Sequence, residues 1–258
     1  MKTFLLLVLS VFLTVHAEAK LIKKTVEYDD KGTALEGYVV YDDAIAGERP
    51  GILVVHNWYG FGANNDRADM LAQLGYVAFA VDIYGKGIRP KNADEAGGQA
   101  GIYKGDRKLF REKLLAGLEA MKNFSLVDPK KMAAVGYCFG GTGVMELARA
   151  GADVKGVVSF HGGLDSPTPE DGKNIKAKIL ALHGADDPFV PEADLKAFED
   201  ELKAAQVDYQ IVKYSGAKHS FTDKTADSDA FDGTAYNANA DRRSWKAMQD
   251  FFKEIFEQ

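Results

Sequence analysis

The chain has 258 residues and a formal net charge of −6 at neutral pH, with 46% hydrophobic and 27% charged residues. This length and composition suit one large globular domain with a sizeable core, and they do not require two. An acidic balance argues against nucleic acid and against an anionic membrane surface as partners, because both attract basic proteins. We therefore expect a single domain over residues 20–258, with residues 1–19 set apart.

The first 19 residues differ in composition from the rest of the chain. A basic start at Lys2 is followed by an apolar run over residues 4–15, and residues 17–19 have the small-x-small pattern of a cleavage site. This order is typical of a secretory signal peptide, 1–19, cleaved after Ala19. A membrane anchor is the alternative, but the apolar run is short for a span and no second one follows. The sequence predicts an exported protein, periplasmic or secreted, with no membrane span in its mature chain.

Strands come first in the mature chain and then alternate with helices. Two alternating segments around the turn at Asp30-Lys31-Gly32 predict an antiparallel hairpin over residues 20–41. The short, continuous apolar runs that follow are typical of strands buried on both faces of a parallel sheet. These buried strands are expected at 51–56, 76–83, 131–137, 154–161, 178–183 and 208–214.

Helices are predicted between these strands. Asn64 is expected to cap a helix that ends at Gly75. A weak helix is predicted over residues 94–103, because two adjacent glycines lower its stability. Apolar periodicity predicts further helices at 106–124, 142–150, 192–205 and 237–256. The alternation predicts an α/β fold, with a mainly parallel central sheet and helices on both faces.

The most informative stretch is the turn after the strand at 131–137. Cys138 lies there between Gly136 and Gly140, in the form of a Gly-x-Ser-x-Gly nucleophile elbow with cysteine in place of serine. Glycines suit this turn because the apex residue has a strained backbone and flanking side chains would clash. Cys138 is the only cysteine, so it cannot form a disulfide within the chain. A lone cysteine is inert, an intermolecular partner or a reactive thiol, and the glycines favour the reactive thiol.

Two further strand ends carry residues that could activate this thiol. The thiolate is the nucleophilic form, and a free thiol with a pKa of about 8.5 is mostly protonated at neutral pH. The helix N-terminus after Cys138 favours the anion, a histidine can take the proton, and a carboxylate can orient that histidine. Asp187 and His219 each follow a predicted strand, where active residues of parallel sheets collect. The order Cys138, Asp187, His219 matches that of nucleophile, acid and histidine in α/β-hydrolases.

Three motifs resemble the active-site motifs of the dienelactone hydrolase family. They are Gly136-Tyr-Cys-Phe-Gly-Gly141, His183-Gly-Ala-Asp-Asp-Pro-Phe-Val-Pro191 and Ala217-Lys-His-Ser-Phe221. The resemblance covers residues 30–256 and implies an α/β-hydrolase fold that acts on a small-molecule ester or lactone without a cofactor. It implies that Cys138, Asp187 and His219 are the catalytic residues. It further implies that the backbone N–H groups of Phe139 and Trp58 form the oxyanion hole.

The chain also departs from that family at three positions. Asn57 stands where the family has a glutamate that takes part in activating the thiol. An amide cannot act as a base at neutral pH, so the thiolate would depend more on His219 and the helix end. Lys86 and Asp223 stand near the family's carboxylate-binding arginines. We assign Asn57, Lys86 and Asp223 to the substrate pocket and expect an ester or lactone without that carboxylate clamp.

Two other functions remain open on the sequence alone. The replacement of glutamate by Asn57 would also suit a secreted binding protein that keeps the hydrolase fold with little or no turnover. A redox-sensing thiol is a third reading, but Cys138 has no resolving cysteine within the chain. No metal site is predicted, because no histidines and acids have compact ligand spacing on one element. The sequence does not predict the oligomeric state.

Overall fold

The computed structural model describes residues 20–226 and 231–257, so the predicted signal peptide lies outside the described residues. The strands are β1 (Leu21–Asp30), β2 (Thr33–Asp42), β3 (Arg49–Val55), β4 (Val77–Val81), β5 (Val127–Tyr137), β6 (Gly156–Phe160), β7 (Lys178–Gly184) and β8 (Tyr209–Tyr214). The α-helices are α1 (Asn65–Gln73), α2 (Ala93–Gly105), α3 (Arg107–Lys122), α4 (Phe139–Arg149), α5 (Glu192–Ala204) and α6 (Ala238–Glu257). A short 3-10 helix at Pro169–Asn174 was not predicted.

All eight strands form one sheet in the order β1-β2-β4-β3-β5-β6-β7-β8. The six strands from β3 to β8 pair in parallel, whereas β1 with β2 and β2 with β4 pair antiparallel. The predicted hairpin is present, and Lys31 and Gly32 make its turn with positive φ angles. The mainly parallel sheet predicted from the sequence is therefore confirmed. Strand β5, which leads into Cys138, lies in the middle of it.

Helices cover both faces of the sheet, because the central strands are apolar on both sides. Every residue of β4 and β6 is buried. Helices α1 and α6 pack on one face, where Leu71 and Phe252 are fully buried. Helices α2 to α5 pack on the other face, with Phe110 and Leu147 in the core. Cys138 directly follows the carboxyl end of β5, at the sheet edge where active residues of parallel sheets collect.

Two helix starts differ from the sequence expectation. The side chain of Asn64 does not cap α1; its Oδ1 instead accepts a hydrogen bond from the N–H of Asn57. Helix α2 is continuous over 13 residues, although it was expected to be weak. The start of α2 is well capped. Asn92 Oδ1 accepts a hydrogen bond from the N–H of Glu95, and the Glu95 carboxylate accepts one from the N–H of Lys91.

Over the described residues, no helix is both long enough and apolar enough to cross a bilayer. The longest, α6, is amphipathic rather than apolar: Met248 and Phe252 are buried on one side, whereas Lys246 and Asp250 form an ion pair on the other. The apolar side of α6 therefore packs into the core.

Candidate active site

Cys138 lies at the apex of a sharp turn between β5 and α4. Its φ is 54° and its ψ is −113°, a conformation that non-glycine residues rarely adopt. The flanking glycines are required for close approach: a Cβ at Gly136 would lie 1.9 Å from the carbonyl oxygen of Gly140. A Cβ at Gly140 would lie 2.2 Å from the carbonyl oxygen of Val55. The predicted elbow is thus present. Its flanking positions need glycine because the neighbouring backbone leaves no room for a side chain.

His219 and Asp187 lie in line with Cys138. His219 Nε2 is 3.1 Å from Cys138 Sγ, and His219 Nδ1 is 2.8 Å from Asp187 Oδ2. The second carboxylate oxygen of Asp187 accepts from the N–H of Phe189, which fixes the acid in place. Both His219 and Asp187 are buried, whereas neighbouring Asp186 is exposed. The structure therefore brings together the three residues that the sequence singled out.

The thiol and the imidazole shift each other's pKa. Burial raises the pKa of Cys138, but the charge of His219, its hydrogen bond and the Phe139 N–H together lower that pKa below the ordinary value. Burial lowers the pKa of His219, but Cys138 and Asp187 outweigh it and raise that pKa. Both shifts favour a thiolate beside an imidazolium. This pair is the reactive form of a cysteine nucleophile.

Two backbone N–H groups belong to residues that line the cavity together with Cys138. The N–H of Phe139 points at Cys138 Sγ from the first turn of α4. The N–H of Trp58 has no hydrogen-bond partner among the described residues. The Trp58 carbonyl accepts from the hydroxyl of Tyr84 at 2.9 Å, which holds this loop against the core. Free donors of this kind can stabilise a developing oxyanion.

A cavity of about 620 Å³ opens above Cys138 and His219. Trp58, Phe139 and Asp223 line it. Its remaining wall is largely apolar or aromatic, with Tyr59, Ala93, Ala100, Lys104, Thr142, Gly163, Phe189, Val190, Ser220, Thr225, Ala226, Phe231 and Thr234. Such a lining suits a small organic molecule.

Two residues assigned to the pocket lie elsewhere. Lys86 is on the surface and forms an ion pair with Glu27 of β1 at 2.6 Å, so its ammonium is outside the cavity. Asn57 is also absent from the cavity wall, because its Oδ1 accepts from the N–H of Tyr59 and stabilises the loop. The pocket assignment is therefore corrected for both residues. The position of a residue relative to a family motif does not determine where its side chain points, so the sequence could not show that these two side chains lie outside the cavity.

Sequence reasoning missed three residues near the nucleophile. The ring centre of His161 lies 5.2 Å from that of His219. Lys104 and Thr142 also line the cavity. They lie in helices, and the spacing of the residues along those helices gave no indication of a functional role. One signal was available for His161, because it directly follows a buried strand at the same sheet edge as Cys138.

Within residues 20–226 and 231–257, no group of three or more histidine, cysteine, aspartate and glutamate side chains is arranged to hold a metal ion. His56 and His161, which could have been ligands, have other contacts: His56 Nε2 accepts from the N–H of Ile83.

The sequence and the fold of this chain are similar to those of known proteins. The family model described as dienelactone hydrolase family matches residues 35–256. A dienelactone hydrolase-like promiscuous phosphotriesterase from metagenomic libraries has a crystal structure with a TM-score of 0.87 and 37% identity, covering 91% of this chain and 98% of that chain. A candidate carboxymethylenebutenolidase of Aquifex aeolicus is 28% identical over 240 residues, which are 88% of this chain and 96% of that protein.

A more distant structure shares the fold. The dienelactone hydrolase of Anabaena variabilis is 19% identical with a TM-score of 0.61, covering 89% of this chain and 98% of that chain. The eight-stranded, mostly parallel sheet with helices on both faces is consistent with the α/β-hydrolase fold. Because the family model spans most of the sequence, the chain belongs to the dienelactone hydrolase family and is an ester or lactone hydrolase of that family.

Proposed function

We propose that this protein is an exported hydrolase that cleaves an ester or a lactone through a Cys–His–Asp triad and an acyl-enzyme intermediate. The observation that carries the proposal is the continuous chain of contacts from Asp187 through His219 to Cys138 at the base of the cavity. The shifted pKa values of Cys138 and His219 support it, because both favour the ionised pair. The reaction needs no cofactor.

In the first half of the reaction, the Cys138 thiolate attacks the carbonyl carbon of the substrate. The C=O electron pair moves to oxygen, and the N–H groups of Phe139 and Trp58 donate to that oxyanion. The tetrahedral intermediate then collapses, the C–O bond breaks, and the leaving oxygen takes a proton from His219 Nε2. With a lactone, the ring opens and the leaving alcohol stays attached to the acyl group.

In the second half, water hydrolyses the thioester. His219, now neutral, takes a proton from the water while the oxygen attacks the acyl carbon. The second tetrahedral intermediate expels Cys138 as a thiolate, and the acid product leaves with His219 protonated again. Asp187 keeps the Nδ1–H of His219 oriented throughout and stabilises the imidazolium.

A direct assay tests this proposal. Residues 20–258 would be purified as wild type, Cys138→Ala and His219→Ala, and assayed with short p-nitrophenyl esters. We expect turnover by the wild type and a loss of ~10²-fold or more in each variant, because each variant removes a group that takes part in bond making or proton transfer. Equal activity in all three proteins would contradict the mechanism.

A phosphotriester is a second candidate substrate class. The observation in its favour is the 37% identity to the crystallised protein that is described as a promiscuous phosphotriesterase. Thiolate attack on phosphorus would expel the best leaving group and phosphorylate Cys138, and water would then have to release the phosphoryl group. Comparing p-nitrophenyl diethyl phosphate with a carboxylic ester tests it. Nitrophenol release from the phosphate that persists in Cys138→Ala would exclude this route.

The exported setting is part of the proposal and has its own test. The order of basic start, apolar run and small-x-small site in residues 1–19 supports it. Full-length protein would be expressed in a bacterial host, and cell fractions would be analysed by intact mass. We expect a mature chain beginning at Lys20 in the periplasm or medium. Uncleaved protein confined to the cytoplasm would contradict export.

A further inference from the structure

His56 adjoins the loop that carries one of the two proposed oxyanion donors, although the proposed mechanism gives it no part. It directly follows β3 and is 3% exposed. Its ring stacks on that of Phe139, with the ring centres 5.7 Å apart, and meets the Tyr84 ring edge-on at 4.9 Å. Phe139 carries the other proposed donor. The ring of His56 is therefore fixed by packing next to a residue of the oxyanion hole.

The hydrogen bonds of His56 determine which ring nitrogen carries the proton. Burial lowers the pKa of His56 to about 4, so the ring is neutral at neutral pH and has a single N–H. Its Nε2 lies 3.2 Å from the backbone nitrogen of Ile83. Because a backbone N–H can only donate, Nε2 is the acceptor and the proton is on Nδ1. Nδ1 lies 2.6 Å from the carbonyl oxygen of Asn57 and therefore donates to it.

The carbonyl of Asn57 belongs to the same peptide unit as the N–H of Trp58. This unit is trans and planar, so its N–H points to the side opposite its C=O. The oxygen of Asn57 accepts a second hydrogen bond, from the N–H of Gly60 at 3.1 Å. Two donors therefore fix the direction of the carbonyl and, through the peptide plane, the direction of the Trp58 N–H.

The polar groups on either side of the Trp58 N–H are paired. The N–H of Asn57 donates to Asn64 Oδ1 at 2.8 Å, and the N–H of Tyr59 donates to Asn57 Oδ1 at 2.9 Å. The carbonyl of Trp58 accepts from the hydroxyl of Tyr84 at 2.9 Å. The Trp58 N–H itself has no partner among the described residues, and Trp58 lines the catalytic cavity. The hydrogen bonds of the loop thus leave this one donor available.

We propose that His56 is a positioning residue for the oxyanion hole, whose Nδ1–H holds the Asn57–Trp58 peptide so that the Trp58 N–H meets the carbonyl oxygen of the substrate. A donor that is already fixed needs no reorganisation when charge develops on that oxygen. Hydrogen bonds to the peptide carbonyl also polarise the unit, which makes its N–H a stronger donor. The inference rests on the proposed function, because it concerns a group that acts in that reaction.

Variants at position 56 separate the Nδ1 donor from the rest of the ring. His56→Phe keeps an aromatic ring against Phe139 and Tyr84 but has no donor. His56→Asn loses the ring, but its amide nitrogen lies at the position of Nδ1 and can still donate to the Asn57 carbonyl. Neither side chain has an acceptor at the position of Nε2, so the loss of the Ile83 hydrogen bond is matched between them. His56→Leu, which is smaller and also has no donor, replaces His56→Phe if that variant does not fold.

Steady-state hydrolysis of p-nitrophenyl butyrate is the first measurement. We expect kcat to fall by about 10–100-fold in His56→Phe, which is less than the loss on removing an oxyanion donor outright. KM should stay near the wild-type value, because the contact forms only in the transition state. His56→Asn should recover most of the lost kcat. A wild-type kcat in His56→Phe, or an equal fall in His56→Phe and His56→Asn, would overturn the proposal.

Two controls separate this role from general support of the thiol or of the loop. Iodoacetamide alkylates Cys138 by displacing iodide from a saturated carbon, so no oxyanion forms, and its rate in His56→Phe should equal that of wild type. A parallel fall in alkylation and hydrolysis would instead indicate a disturbed thiol and would contradict the proposal. Tyr84→Phe removes the hydrogen bond to the next carbonyl, that of Trp58, and should lower kcat less than His56→Phe does. An equally large fall would show that the Asn57–Trp58 peptide has no special part.

A reversible inhibitor tests the positioning role without turnover. The Cys138 thiolate adds to the carbonyl carbon of trifluoroacetone: the C–S bond forms, the C=O electron pair moves to oxygen, and no leaving group departs. Fluorine NMR measures the dissociation constant of the adduct, which should rise about 10-fold in His56→Phe and stay near the wild-type value in His56→Asn. If this pattern is found but no ester is hydrolysed, the positioning role stands and the hydrolase proposal fails. Equal affinity in all three proteins, or no adduct with wild type, would overturn the positioning role.

Discussion

The imidazole of His161 accepts a hydrogen bond from the backbone N–H of Cys138 at 3.2 Å. Its other nitrogen, Nε2, lies 2.8 Å from the hydroxyl of Thr222, in the loop that carries His219. Burial and the charge of His219 hold the pKa of His161 well below its usual range, so the ring is neutral. Nδ1 then accepts and Nε2–H donates. His161 therefore connects the nucleophile to the loop of its base.

The first prediction concerns this connection. His161 has a φ of 41°, which asparagine tolerates, so His161→Asn changes the ring and not the backbone. We expect a loss of about 1–3 kcal/mol in the free energy of unfolding, because the Thr222 hydroxyl loses its buried partner. Urea denaturation measures it. Thr222→Val, which removes the same bond from the other side, should show a similar loss, whereas wild-type stability in both variants would rule out the bridge.

The second prediction concerns how the reactivity of the Cys138 thiol depends on pH. Since the pKa of Cys138 is lowered, the thiolate persists as pH falls below the usual range of a thiol and is lost only on passing through the lowered pKa. The rate of iodoacetamide alkylation should therefore have a midpoint below the value of about 8.5 for a free thiol. In His219→Ala the midpoint should rise, because the charge and hydrogen bond of His219 no longer oppose the effect of burial. A wild-type midpoint at the free-thiol value would favour the binding-protein alternative.

The third prediction separates the two adjacent aspartates. Asp187→Asn removes the carboxylate that contacts His219, and we expect kcat for a p-nitrophenyl ester to fall ~10²–10⁴-fold, the range of general acid–base contributions. Asp186→Asn is the matched control, because that carboxylate is exposed and one residue away. Steady-state kinetics of both variants provide the measurement. Equal effects at the two positions would remove the reason for naming Asp187 as the orienting acid.

The fourth prediction concerns the glycines of α2. Gly98 lies in the helix with no positive φ, and a Cβ there would meet no atom within 4 Å. Gly98→Ala should therefore raise the free energy of unfolding by about 0.5–1 kcal/mol, because glycine loses more backbone entropy on folding. Thermal or urea denaturation measures this change in the free energy of unfolding. Gly140→Ala is the contrast and should destabilise, since its Cβ would lie 2.2 Å from a backbone carbonyl.

Much of the fold and the core of the site could be predicted because their signals are local. Buried parallel strands are continuous apolar runs, and the elbow has glycines at fixed offsets from Cys138. Asp187 and His219 could be assigned because parallel strands end at one edge of the sheet, where side chains distant in sequence meet. The structure places all three within hydrogen-bond distance in series.

Other features could not be predicted because they depend on side-chain direction. Lys86 points to Glu27 on the surface. Lys104 reaches the cavity from α2, a helix that was expected to be only weakly stable because of its glycines. Arg149 is fully buried beside Glu201 and Glu146, although nothing in its helical spacing distinguishes it from a surface arginine. Such contacts join elements far apart in sequence and are fixed only when helices pack on the sheet.

In the proposed mechanism, Cys138 carries the acyl group. Wild-type protein would be mixed with excess p-nitrophenyl acetate, quenched in acid within the first turnover and analysed by peptide mass spectrometry, while nitrophenol release is followed. We predict a burst of nitrophenol no larger than the enzyme concentration and an acetyl group on the peptide that contains Cys138. An acetyl group on another residue, or the same burst from Cys138→Ala, would contradict the mechanism.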